Sequence, residues 1–290
     1  MRKIAILVGV GLLFFTSLLW AAMSQLKFGY APKGIIITKG EKSTFLKTVI
    51  TAHKGRMENL YMQKEEMHYL DFIRSIKKDR IESVRRQYLK YVQFTQPMGE
   101  KRPIKAYHFL TGTLWRVDRK GGRNIATLIN GKVPKPAFKV VRLDDDAETF
   151  CRYLPREEIR PGQKWSLSPD GVRELMGDDW QKGSSSTFQC RFERRVWHKG
   201  MKCAKIHLLQ KIDGNHKVGI NAKMTMEGYL YYSLEYGFPV HFEMKGMLKM
   251  KIKNVAPKGQ VATFEGEGTI KTMYTKEYRP PELNEGDEDE

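Results

Sequence analysis

Seven histidines, His53, His68, His108, His198, His207, His216 and His241, are the side chains of this 290-residue chain best suited to proton transfer or metal ligation. Their spacing supports neither chemistry. No His-Glu-x-x-His pair or comparable ligand spacing occurs, so no metal is assigned. His207 and His241 fall in segments that read as strands and could face one another, but an isolated strand histidine is ordinarily a surface or satisfied core residue. There is no Gly-x-Ser-x-Gly elbow, no phosphate loop and no Gly-x-Gly-x-x-Gly leading into a helix; Gly228, Gly237 and Gly246 are too dispersed to cradle a cofactor. Cys151 with a distant histidine is a possible nucleophile only in the sense that any such pair is. Asp144-Asp145-Asp146 resembles the start of a cation loop, yet it lacks the glycine and the twelfth-position glutamate of a calcium site and reads as a solvated turn. The expectation is a chain with no catalytic residues, no cofactor and no metal.

The residues that suit binding are of a different kind. Met224, Met226, Met244, Met247 and Met250 concentrate a soft, adaptable side chain in one stretch, and methionine moulds itself to irregular apolar ligands such as acyl chains. Beside them stand Lys245, Lys249, Lys251 and Lys253, with Tyr229, Tyr231 and Tyr236. An apolar trough with a cationic rim matches an anionic lipid at both ends. The candidate ligand-binding residues are therefore Met224, Met226, Met244, Met250, Lys245, Lys249, Lys251, Tyr229 and Tyr231. An ordinary core accounts for the methionines equally simply. The same tyrosines and lysines could stack on single-stranded nucleic acid, a partner that export disfavours.

Those residues must be positioned by strands. Phe188 to Trp197, Cys203 to Ile212, Val218 to Leu234, Val240 to Lys253 and Val261 to Tyr278 read as five long strands joined by glycine-containing turns, a β-meander. Even-numbered Met224, Met226, Gly228, Leu230 and Tyr232 share one face; Lys223, Thr225, Glu227, Tyr229 and Tyr231 share the other. Met244 to Ile252 alternate with Lys245 to Lys253 in the same way. Strand glycines Gly228, Gly246, Gly266 and Gly268 imply bends. A two-residue turn at Lys199-Gly200 sets Cys203 opposite Val196, not Cys190, so a disulfide across that hairpin is not expected, and three cysteines leave at least one thiol free.

Upstream, Thr44 to Thr51 is a β-branched strand ending at His53-Lys54-Gly55, and Leu114 to Asp118 returns as Ile125 to Ile129 through Gly121-Gly122. Phe138 to Leu143 reads as a further strand. Glu65 to Thr95 fits either a helix, on its propensities, or two strands turning at Lys77-Lys78-Asp79-Arg80; in the strand reading Val84, Tyr88, Val92 and Phe94 share one parity. Strands are preferred because the flanking segments are β. Ser168-Pro169 to Gly177 is the one short helix, with Ser168 as cap. The fold class is mainly β, with long, curved antiparallel strands in a meander, half-barrel or two-sheet arrangement.

The N-terminus fixes the expected compartment. Arg2 and Lys3 precede an uncharged run of 19 residues from Ile4 to Ala22, and Ala22-Met23-Ser24 offers a small-x-small cleavage triplet. This is a signal peptide or an N-terminal membrane anchor of residues 1–24, and the body, 25–281, is expected to be exported to the periplasm or beyond; halves at 35–160 and 161–281 are one division of it. The formal net charge is +18; without the two positive charges of Arg2 and Lys3 and the six negative charges of the 282–290 tail, the body carries +22. The tail is expected to be disordered and self-repelling. A body so cationic favours anionic partners, an anionic lipid or an acidic polysaccharide.

From about Leu110 to Tyr278, Thr111-Gly112-Thr113-Leu114-Trp115-Arg116-Val117, Leu154-Pro155, Arg160-Pro161-Gly162-Gln163-Lys164-Trp165 and Tyr236-Gly237-Phe238-Pro239 occur in an order that resembles an uncharacterised family of exported bacterial β-proteins of planctomycete type. More distantly, the long curved strands are similar in architecture to periplasmic lipoprotein-carrier half-barrels. These likenesses imply the fold and nothing about chemistry. The functional expectation is a non-catalytic envelope binding or carrier protein; the alternative is a structural or assembly protein that meets a protein partner through its sheet edges.

Overall fold

A computed structural model describes residues 24–25, 34–52, 55–77, 80–97, 100–121, 123–135, 138, 141–143, 146–151, 153–155, 157–176, 184–215, 219–253 and 262–280. The apolar N-terminal run, the acidic tail, and Asp144 and Asp145 lie outside them. Among the described residues no helix is long and apolar enough to cross a membrane.

In chain order the strands are β1 (Ser24–Gln25), β2 (Gly34–Ala52), β3 (Gly55–Lys77), β4 (Arg80–Gln96), β5 (Ile104–Tyr107), β6 (Leu114–Lys120) and β7 (Arg123–Asn130). Helix α1 (Asp146–Cys151), β8 (Glu158–Ile159), β9 (Lys164–Ser166) and helix α2 (Pro169–Met176) follow. The chain ends in β10 (Ser185–His198), β11 (Met201–Asn215), β12 (Ile220–Ser233), β13 (Pro239–Lys253) and β14 (Thr263–Arg279). Twelve of these strands form one antiparallel sheet in the order β7-β6-β4-β3-β2-β14-β13-β12-β11-β10-β9, with β5 also on β4, while β1 pairs with β8. The sheet is a chain of hairpins closed by one non-local seam, where β14 pairs with β2 over all 17 of its residues. That seam joins the chain's two halves into one sheet.

Each hairpin follows from its turn. Lys199 and Gly200 have φ of 51° and 76°, the two left-handed residues of a type I′ turn, and Val196 lies opposite Cys203 while Cys190 lies opposite Leu208. All three cysteines are buried and none is in a disulfide. Burial pushes the Cys203 thiol up to about 11 and the Cys190 thiol higher still, which disfavours a thiolate at either.

The Glu65 to Thr95 segment is two strands, and Lys77 pairs with Arg80 across the turn. Its parity is not continuous. His68 pairs with Lys90 but Tyr69 with Tyr88, so Leu89 is an extra residue, a β-bulge. Val84 and Tyr88 therefore share a face with Tyr91, and the expected grouping with Val92 and Phe94 is broken at the bulge.

Two packed regions cover what we term the inner face. Over β10 to β13, Phe150 of α1, Leu154 and Val172 of α2 pack on Phe188, Phe192, Ile206, Leu208, Leu230 and Phe242. Over β3, β4 and β6, Leu110, Val141 and Leu143 pack with Ile73, Val84, Tyr88, Trp115 and Val117. Each such large side chain contributes about 1.5–3 kcal/mol on burial. Ser168 caps α2 as expected, its Oγ accepting the Gly171 N–H at 3.2 Å; the proposed stop at Gly177 lies outside the described residues. Two expectations are corrected. Asp146 opens a second helix and is not part of a solvated turn, and no strand is described between 131 and 143. Val141 and Leu143 instead lie over the inner face because Arg86, on β4, takes the carbonyl oxygens of Arg142 and Leu143 at 2.6 and 3.0 Å and so occupies the acceptors a strand would need.

Candidate functional site

The strand alternation decides where the nine candidate residues go. Met224, Met226, Met244 and Met250 stand on the inner face; Lys245, Lys249, Lys251, Tyr229 and Tyr231 stand on the outer face of the same two strands. Side chains of opposite parity cannot touch one ligand lying on one face, so the trough and the lysines are two surfaces and not one rimmed site. Met226 and Met244 are buried in the core beneath α1, whereas Met224 and Met250 are half-buried. On the outer face Lys249 pairs with Glu267 at 2.7 Å and Lys251 with Glu265 at 2.5 Å. Tyr229 carries the Lys205 ammonium 3.9 Å over its ring and meets His207 edge-on at 5.4 Å. His207 and His241 do not face one another: β12 lies between their strands, and His207 binds Glu227 at 2.6 Å.

The inner face beyond the helices carries a half-exposed apolar shelf. Register brings Met224, Leu248, Leu46 and Tyr61 into one cross-strand row with Gly268, places Met250 between Ala222 and Gly266 in the next, and ends with Ile220, Ile252, Phe264, Ile50 and Met57. Leu46 and Ala222 are buried; Met224, Leu248, Met250, Ile252, Phe264 and Ile50 are half-buried, and Met57 is exposed. Successive rows are two residues apart, so together with the preceding row at Ile270 the shelf runs roughly 20 Å along the strands. Sequence reasoning found the β12 and β13 contributions. It missed Leu46, Ile50 and Phe264, which join them only through the β2–β14 seam.

The shelf ends at polar groups on the same face. Glu65 accepts hydrogen bonds from the Tyr91 hydroxyl and the Gln93 amide, each at 3.0 Å, and Lys42, opposite Glu65 and Thr272, holds its ammonium 5.9 Å over the Tyr274 ring. Burial, with the Glu65 carboxylate beside it, raises the Tyr91 hydroxyl and keeps it a donor. An apolar shelf ending at an ammonium, hydroxyls and a fixed carboxylate can seat an amphipathic molecule. Among the described residues no group of three or more His, Cys, Asp or Glu is placed to hold a metal ion.

On the outer face an ion-pair ladder crosses five strands. Lys90 reaches Glu66 at 2.7 Å, Lys64 reaches Glu66 at 2.9 Å and Glu41 at 3.4 Å, and Lys271 reaches Glu41 at 3.5 Å and Glu243 at 3.8 Å. Hydrogen bonds from Lys90 and then Lys64 hold the Glu66 carboxyl down at about 2. Its folded value is below its ordinary 4.5, so its stabilisation is present above pH 4.5 and is lost as the pH falls through about 2. A carbon-13 titration of the glutamate carboxyls should find Glu66 protonating far below the exposed glutamates; protonation near 4.5 would show that the ladder is broken in solution.

No protein-family model and no curated protein matches the chain. Among solved structures, a lipovitellin solved in a study of its lipid–protein interactions is similar at 9% identity with a TM-score of 0.42; the match covers 87% of this chain and 26% of that one. The chain thus spans about a quarter of that protein's length. A DUF1329 family protein from Desulfovibrio piger matches at 6% identity and a TM-score of 0.12, covering 82% of this chain and 85% of that one. Both are distant structural neighbours of a mostly antiparallel β chain.

Proposed function

We propose that the chain is a non-catalytic carrier of the cell envelope that binds an amphipathic lipid on its inner face, with the acyl part on the shelf and the head at Lys42, Thr272 and Gln93. One observation carries this reading: a sheet with two well-packed regions leaves a contiguous, half-exposed apolar area between strands β12 and β3, ending at polar groups on the same face. Contiguous apolar surface of that kind ordinarily marks a binding area. An ammonium at its end favours an anionic head. The signal-like N-terminal sequence supports an encounter outside the cytoplasm.

The test is native mass spectrometry of the full chain purified from its own envelope, with extraction and identification of whatever lipid leaves it. A stoichiometric lipid is expected, and the double substitution Met250→Glu with Phe264→Glu should reduce its occupancy at least about tenfold. Lys251→Gln, on the other face, should leave it unchanged. An apo mass that persists after incubation with envelope lipids would sink the carrier reading. It would favour the assembly alternative, for which β7 supplies an edge with Ile125 and Ile129 exposed by 44% and 47%.

A further inference from the structure

The outer face holds a second cluster of chemistry-bearing groups, independent of the shelf. One cross-strand row runs Lys90, His68, Lys39, Thr275, His241, Tyr231, Lys205, Arg194 from β4 to β10. It contains no carboxylate. His198, the last residue of β10, joins this row: its ring stacks on Tyr231 at 4.2 Å and lies 5.6 Å from His241. Thr275 Oγ1 lies 3.1 Å from His241 Nδ1 and fixes that ring from behind. The Nε2 atoms of His198 and His68 are shielded from solvent and have no hydrogen-bond partner among the described residues. A shielded imidazole nitrogen without a partner is a group waiting for one.

The charges around these rings decide what that partner is. Lys39 and Lys199 are both exposed side chains of the cluster, Lys39 beside His68 in the register and Lys199 adjacent to His198. Burial lowers the pKa values of His198, His241 and His68, and neighbouring cations lower them further, while the Glu243 carboxylate opposes the shift at His241. The carboxylates flanking the row are engaged: Glu66 with Lys90 at 2.7 Å, Glu193 with Lys205 at 3.0 Å, Glu41 with Lys64 at 3.4 Å, Glu243 with Lys271 at 3.8 Å and His241 at 3.9 Å, and Glu277 with Arg279 at 3.1 Å. A cation brought here would meet two ammonium groups. An anion would meet both ammoniums, the Tyr231 hydroxyl and imidazole nitrogens able to donate.

We propose that this outer-face cluster is a binding site for an oxyanion of the phosphate class, held by Lys39 and Lys199 with His198, His241 and His68 as additional donors. The Lys199-Gly200 turn is part of the site, since it sets Lys199 directly after His198, which pairs with Met201 across it. Free phosphate and the phosphate of a lipid headgroup present the same chemistry.

The experiment reads the histidine ring signals of the full chain by NMR at constant pH. The probes are inorganic phosphate, vesicles of phosphatidylglycerol, and vesicles of phosphatidylcholine. Saturable shifts of His198 and His241 with inorganic phosphate, weakened about fivefold or more in Lys39→Gln and in Lys199→Gln, are expected. Shifts with phosphatidylglycerol vesicles alone, weakened in the same variants, would assign the site to a lipid headgroup. Equal shifts with both kinds of vesicle, shifts that persist unchanged in the Lys39→Gln, Lys199→Gln double variant, or no shift with any probe would overturn the proposal. Both lysines are exposed, so these variants keep the fold, and Lys245→Gln on the same face serves as a control that should bind as the parent does. Loss of lipid on the shelf leaves these signals untouched, so the two proposals fail separately.

Discussion

Asp71→Ala is expected to cost about 3–5 kcal/mol of stability, which is a third or more of what a domain of ordinary stability possesses. Asp71 and Arg86 are 4% and 3% exposed, and Arg86 donates to both carboxylate oxygens, from Nε at 2.6 Å and Nη2 at 2.5 Å. Its guanidinium also lies 4.2 Å from the centre of the Tyr69 ring and tethers residues 142 and 143 over the inner face. The nearby carboxylate raises the guanidinium pKa well above its ordinary value against the opposing effect of burial, so alanine at 71 leaves a buried charge that cannot shed its proton. Arg86→Met with Asp71→Leu should lose less than either single variant, because it removes both charges. It should not recover fully, since the carbonyls of Arg142 and Leu143 then lack their donor. Guanidinium unfolding of the parent, Asp71→Leu, Arg86→Met and the double variant measures the coupling directly. A single-variant cost below about 1 kcal/mol would mean that water reaches the pair and that Val141 and Leu143 are loosely held over the inner face.

The hairpins were readable because their information is local. Gly121, Gly200 and the two-residue turns set register within each pair, which is why Cys203 falls opposite Val196 as the turn length requires. The β2–β14 seam has no such signal: strands more than 200 residues apart pair because both are long, β-branched and left with open edges once their own hairpins form. Half of the shelf depends on that seam, so Leu46, Ile50 and Phe264 could not be placed beside Met250 from spacing alone. The opposite parity of Met250 and Lys251 was legible, and it already separated the methionines from the lysines. The bulge at Leu89 and the cover from Val141 to Leu143 escaped because each is settled by tertiary partners, the first by the register with His68 and Tyr69, the second by Arg86.

Gly228→Ala and Gly246→Ala are each expected to cost about 3 kcal/mol, the upper end of what overpacking a core does. The two glycines and Gly268 form a diagonal across β12, β13 and β14 on the inner face: Gly228 lies opposite Met244, Gly246 opposite Met226, and Gly268 opposite Leu248. A Cβ at Gly228 would collide with the Glu243 carbonyl oxygen, one at Gly246 with that of Thr225, and one at Gly268 with that of Phe45. In each case the obstacle is the backbone of a paired strand, so no side-chain rotation relieves it and the ladder itself must move. Gly266 is the contrast, because the nearest atom to its added Cβ is Met250 Cγ at 3.2 Å. That methionine can turn aside, and alanine there should cost less than about 1 kcal/mol, the lower backbone entropy of the unfolded chain offsetting the crowding. Thermal and denaturant unfolding of the three variants tests this ordering. Equal effects at 228, 246 and 266 would show that these glycines only weaken their strands. The predicted inequality would show that the diagonal sets the curvature on which the shelf depends, since the helix-covered core at Met226 and Met244 and the open rows at Leu248 and Met250 meet along it.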